Sequence, residues 1–182
     1  MKGGKGGHPP ASTDIWRGIK AGMGAGAISG VILFILLYTH IVNMLYLFHM
    51  APGILVIGGF AIALVFGAVS GVIAGLIVGI LYAVIYSRLP SNRSIIKGLI
   101  LSLLLWFLLP FLVSRAFWMV PATLYPLIVH TLAYHIIFGV LLGVFWDRLG
   151  GKSNKLANAL LTLLVISIGA LIIVTVAVAS SL

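Results

Sequence analysis

The run FGAVSGVIAGLIVG, Phe66 to Gly79, sets glycine at 67, 71, 75 and 79 inside an otherwise apolar stretch. In water this would be a poor helix, because each interior glycine costs roughly 0.8–1 kcal/mol relative to alanine. In hydrocarbon the backbone can bond only to itself, so the medium enforces the helix and the glycine penalty largely lapses. What is left is a stripe without side chains that lets a second helix approach closely. Each step of four advances about 400°, so the stripe drifts about 40° around the axis and favours a right-handed crossing. Gly18, Gly22, Gly26 and Gly30 form an earlier series with Gly24 beside it, and Gly139 with Gly143 a later, shorter one. Two readings stay open: the stripes pack against each other as a glycine-lined hairpin, or one of them faces a partner chain.

Composition points to the same solvent. Of the 182 residues, 62% are hydrophobic and 7% charged, against about 25% charged in a soluble domain. The expected fold class is an all-α integral membrane protein, multi-pass, in the plasma membrane. A hydrocarbon core about 30 Å thick takes roughly 20 apolar residues per helix, and five spans qualify: about 18–38, 54–86, 95–113, 122–146 and 156–178. Residues 1–15 read as a flexible, basic, Gly/Pro-rich tail and 16–182 as one transmembrane helical domain. The stretch 39–53 is also apolar, and forms either an interfacial helix or part of a long tilted one, with Pro52 and Gly53 as the break.

Short loops rich in Lys and Arg stay cytoplasmic. Lys2, Lys5, Arg17 and Lys20 precede the first span; Arg88, Arg93 and Lys97 join the second to the third; Arg148, Lys152 and Lys155 join the fourth to the fifth. Ten of the eleven basic residues thus fall on one side, leaving Arg115 on the other. The expectation is N-terminus inside and C-terminus outside. The net charge of +9 is spread over three membrane edges where anionic lipid headgroups meet it, so no nucleic acid is expected as a partner.

Asp14 and Asp147 are the only acids, and there is no cysteine. That removes paired carboxylates, thiolate metal sites and catalytic thiols. No phosphate-binding glycine loop, Ser/His/acid set or zinc-ligand spacing occurs. No catalytic residue is assigned, and the chain is read as not an enzyme. Ionisable groups at membrane depth are functional candidates by default. Here they are His130, His135 and Arg115 for a cofactor, and His40 with His49, beside Met44 and Met50, for a metal. His130 and His135 stand about 140° apart around a helix, too far to share one metal. No cofactor is predicted outright; haem, copper or a quinone is what such residues would suit. The plainer alternatives are a histidine bonded to a backbone carbonyl, methionine as apolar filler, Arg115 reaching lipid phosphate, and Asp147 paired with the basic residues of its loop.

The sequence also repeats. YSRLPSNRSIIKGLILSLLLW aligns with WDRLGGKSNKLANALLTLLVI, setting Gly79 on Gly139, Arg88 on Arg148 and Leu89 on Leu149. WRGIKAGMGAGAISG resembles NRSIIKGLILS more weakly. The units enter the membrane in one direction, so the repeat is parallel, which argues against inverted-repeat transporter designs.

RGIKAGMGAG, LYAVIYSRLPSNRSIIKGLILSLLLWFLLP and HIIFGVLLGVFWDRLGG together resemble the YagU-like and related uncharacterised small membrane proteins of bacteria and archaea. The likeness runs roughly from Arg17 to Gly150, with its His-x-x-aromatic-Gly-x-x-x-Gly motif on His135, Phe138, Gly139 and Gly143. Many relatives carry a histidine in the second helix, where this chain has IAGLIVG and none. The resemblance implies a helical membrane fold and, because some relatives accompany terminal-oxidase components, an accessory respiratory subunit. The function expected is a non-catalytic membrane subunit packing by glycine stripes into a larger assembly with other membrane proteins. The alternative is a small transporter or channel, alone or as a homo-oligomer, with Arg115 and the membrane histidines along its path.

Overall fold

The computed structural model describes residues 12–47, 53–113 and 125–151, with 159 and 162. The described residues form four α-helices and no strand: α1 Ser12–Leu47, α2 Gly53–Ile85, α3 Ser94–Val113 and α4 Tyr125–Leu149. The proposed fifth span, 156–178, lies almost entirely outside the described residues. Three stretches are long and apolar enough to cross a membrane, Asp14–Thr39, Gly58–Ile85 and His130–Leu149.

The first helix is much longer than the span expected at 18–38. It continues through most of the ambiguous stretch to Leu47, 36 residues in all, or about 54 Å at 1.5 Å per residue. α2 has 33 residues. The helices pack in three pairs: α1 on α2, α3 on α4, and α1 on α4. Long runs of Leu, Ile and Val, with charges confined to the basic end, explain their persistence, because a lipid-exposed backbone has no alternative to helical hydrogen bonding. α3 likewise runs through Pro110 to Val113.

The glycine stripes of α1 and α2 lie against each other. Gly18 faces Gly79, Gly22 faces Gly75, Gly26 faces Gly71 and Gly30 faces Gly67, in one antiparallel register. The fit leaves no room for a methyl group: a Cβ at Gly22 would lie 2.7 Å from the Gly79 Cα, and one at Gly67 would lie 2.7 Å from the Gly30 carbonyl oxygen. The register continues to Tyr38, whose ring fills the space beside Gly59 and meets Phe60 at 5.7 Å between centroids. The α3–α4 pair uses the same device with fewer glycines. Gly98 meets Gly139, and Gly143 lies against the backbone of Ser94 and Ile95.

At the basic end the two hairpins therefore repeat each other. Gly18 and Gly98 occupy equivalent places, as do Gly79 and Gly139, and Ala83 and Gly143. Spatially the unit is a hairpin, α1–α2 matched by α3–α4, so α1 and α3 enter from one end and α2 and α4 leave there. Arg17, Lys20, Arg88, Arg93, Lys97 and Arg148 all sit at this basic end. The shared core lies just beneath it, built from Ala21, Ala25, Tyr82, Leu101, Leu142 and Trp146 with their neighbours.

Candidate functional site

All four helices contribute to a polar and aromatic cluster at the basic end. α4 brings Trp146, whose ring stacks on Tyr86, the residue that follows α2, at 4.7 Å and 28°. Tyr82, one turn earlier on α2, meets both rings edge-on, at 5.2 Å from Trp146 and 5.3 Å from Tyr86. A cation closes each side of the stack. The Arg17 guanidinium of α1 lies 4.3 Å from the Trp146 ring centre, and the Lys97 ammonium of α3 lies 3.9 Å from that of Tyr86. The order in space is Arg17, Trp146, Tyr86, Lys97, a cation–aromatic–aromatic–cation ladder.

Each cation also satisfies a helix end. Arg17 Nε donates to the Trp146 carbonyl oxygen at 2.7 Å, and Lys97 Nζ donates to the Tyr86 carbonyl oxygen at 2.6 Å. The last carbonyls of a helix carry the negative end of its dipole, so a cation is favourable there. The partners are exchanged between hairpins: the first hairpin's cation caps the second hairpin's exit helix, and the second's caps the first's. Gly150 leaves the space that the Arg17 guanidinium occupies. Lys97 is 7% exposed; its charge is tolerated because a carbonyl and a ring face replace water around it.

A hydrogen-bonded chain runs beside the ladder. Ser94, the first residue of α3, donates its hydroxyl to Asp147 Oδ1 at 2.6 Å and so accepts from the Tyr86 hydroxyl, also at 2.6 Å. The Tyr82 hydroxyl donates to the Ser94 carbonyl oxygen at 2.8 Å. Among the described residues the partner of Asp147 is thus a serine on α3; Lys152 and Lys155 of its own loop lie outside them. The loop joining α2 to α3 turns at Ser91, with φ 126°, and the Ser91 Oγ accepts the Arg93 N–H at 3.0 Å.

Deeper in the bundle, hydroxyls bond to carbonyls. Ser29 donates to Ala25 at 2.7 Å and Ser70 to Phe66 at 2.6 Å, each within its own helix, while Ser102 of α3 reaches the His135 carbonyl oxygen of α4 at 2.6 Å. The His135 Nδ1 lies 2.7 Å from the Thr131 carbonyl oxygen, one turn back on α4. This is the backbone-bonded histidine among the alternatives. His130 is on the same helix, five residues before His135. The side chain of His40, in α1, lies outside the described residues, as do His49 and Arg115. Among the described residues, no group of three or more His, Cys, Asp or Glu converges to hold a metal ion.

Of the residues singled out in sequence, the structure unites the ten stripe glycines in two seams. It adds Gly98 to the second seam, and it adds the whole ladder. The available signals were the pairs Arg17-Gly18 and Lys97-Gly98 at matching helix starts, and the aromatic residues Tyr86 and Trp146 at matching helix ends. The repeat aligned these strings without showing that their side chains meet.

An all-helical bundle with three membrane-length apolar helices, sealed by glycines and latched at one end by exchanged cations, is the class that fold and site define. The chain belongs to a family of unknown function, DUF6789, whose model matches residues 16–157. That stretch contains every residue of the ladder and both glycine seams. No curated protein and no solved structure matches the chain.

Proposed function

We propose that the chain is a non-catalytic integral membrane subunit that packs into a larger assembly in the cell membrane, with its basic end in the cytoplasm. The observation that carries this reading is how the surfaces are used. The glycine seams and the basic-end polar groups join helices of this chain to one another, while the outward side of α2 presents Ile62, Val65, Phe66, Val69, Ile73 and Ile77, all exposed. Because the α1 and α2 stripes face each other, contact with a partner falls to that outward side and not to the glycines. In finer form the chain has five spans, with the C-terminus outside. It is also akin to the YagU-like proteins, and an accessory role in a respiratory complex follows from that likeness alone.

Dissolving the native membrane in a mild detergent and identifying by mass spectrometry what co-purifies with this chain tests the reading. A fixed set of other membrane subunits at constant stoichiometry is expected. A chain that runs alone or as a pure homo-oligomer would sink the proposal and leave a small transporter or channel, to be tested by transport assays on variants at His135 and Arg115.

A further inference from the structure

The two hairpins are equivalent at the basic end but not below it. α1 packs along α4, whereas the equivalent pair, α3 and α2, has no comparable backbone approach. The same repeat positions show the difference side by side. Leu141 on α4 is 3% exposed, while its equivalent on α2, Leu81, is 38% exposed. Phe138 is buried and Tyr134 half-buried on α4; their equivalents on α2 are the smaller Val78 and Ala74, and Ala74 is exposed. Leu81 lies on the same helix face as Val78 and Ile85, which pack on the shared core, since residues three and four apart are neighbours.

The facing helix agrees. Lys97, Leu101, Leu104 and Leu108 follow one another along a single face of α3. The first two are buried, but Leu104 is 52% exposed and Leu108 is also open. Their equivalents on α1 are covered: a Cβ at Gly24 would lie 3.3 Å from the Phe145 ring, and Ile28 packs on the core. A groove therefore runs between α2 and α3, apolar along Ala74, Leu81, Leu104 and Leu108. It closes at the basic end, where Tyr82 and Tyr86 meet Ser94 and Lys97.

We infer that this groove holds one acyl chain of an anionic phospholipid from the basic-side leaflet, its headgroup at Arg88 and Arg93. Charge and depth both select this occupant. Arg88 and Arg93 are exposed on the loop that bridges the closed end of the groove, where phosphate-bearing headgroups sit. Leu104 and Leu108 lie ten and fourteen residues beyond Ser94, about 15 and 21 Å deeper at 1.5 Å per residue. One leaflet of a hydrocarbon core about 30 Å thick is about 15 Å deep, so an acyl chain reaches Leu104, and Leu108 lies past its end. The inference does not rest on the subunit reading, since it concerns a lipid held by this chain alone.

Native mass spectrometry of the full chain in mild detergent, titrated with phosphatidylglycerol and separately with phosphatidylcholine, reads the first bound lipid. Phosphatidylglycerol is expected to bind tighter. The Arg88→Ala/Arg93→Ala variant should weaken it about thirtyfold, the value of two cations near an anionic headgroup. Lys20→Ala/Arg148→Ala removes equal charge from the same end away from the groove and should change it little. Leu104→Trp, which fills the groove, should abolish the tight event while the protein still migrates as the wild type. Equal weakening by both charge variants, equal affinity for the two lipids, or unchanged binding in a folded Leu104→Trp would each overturn the assignment. If Leu104→Trp does not fold, the two charge variants decide alone.

Discussion

At the scale of the residue, the absence of a side chain is the resource this chain uses most. The seam glycines differ from the others in what a methyl group would meet. At Gly26 it would collide with the Gly71 carbonyl and lie 3.0 Å from the Gly75 Cα, whereas at Gly24 it would lie 3.3 Å from the edge of the Phe145 ring. A backbone cannot swing aside and a ring can. Gly26→Ala should therefore lose about 1–3 kcal/mol, the usual scale of an overpacked contact, while Gly24→Ala should be close to neutral. Thermal unfolding in detergent checks both, and equal effects would mean that the seam is looser than described. The stripes were legible in the sequence because a period of four is visible in a string of letters. The ladder was not, because a cation, two aromatic rings and a second cation on four different helices have no common spacing. Only the hairpin repeat, once seen in space, explains why Arg17 and Lys97 are spaced as they are from Trp146 and Tyr86.

At the scale of the element, a helix and its membrane-length stretch differ in extent. The first span, expected at about 18–38, corresponds to the membrane-length stretch Asp14–Thr39, and for the apolar residues after it the sequence leaves open an interfacial helix or part of a long tilted one. α1 runs on to Leu47, because its apolar run has no proline or glycine to stop it after Gly30. At about 54 Å, α1 exceeds a hydrocarbon core of about 30 Å by more than ordinary tilts absorb. We expect the part of α1 beyond its membrane-length stretch Asp14–Thr39 to stand outside the bilayer, on the side opposite the basic loops. A single cysteine at Asn43, in a chain that has none of its own, should react with a membrane-impermeant maleimide added to intact cells. A cysteine at Lys20 should react only after permeabilisation. The reverse pattern would invert the orientation, and protection of both would place the hairpin tip inside a membrane or a partner. α3 and α4 were legible to within a few residues, at about 95–113 and 122–146 against Ser94–Val113 and Tyr125–Leu149.

At the scale of the whole molecule, two hairpins exchange their end caps, so the latch joins halves that no loop need hold. Breaking the chain after Asn92 and co-expressing the pieces should yield halves that co-purify. Replacing Trp146 with alanine should weaken their association, because it removes the centre of the stack and the ring beneath Arg17. Replacing it with phenylalanine should restore much of it. Halves that never associate would mean that the covalent loop, and not the ladder, keeps the hairpins together. The sequence made the repeat visible but grouped it by loops, as Arg88 on Arg148, whereas packing groups it by hairpins.

The α1–α2 seam has one further property. A row of identical notches does not say which notch meets which. Sliding one helix past the other by four residues, about 6 Å, would set three of the four glycine pairs back on glycine. Such a seam is smooth along its length and has to be indexed from outside. Tyr38 against Gly59 and Phe60 stops it at one end. Tyr82 and Tyr86, held by Ser94, Lys97 and Trp146, stop it at the other. The bulky residues at the two extremities give the hairpin its alignment, and the glycines between them give it only its closeness.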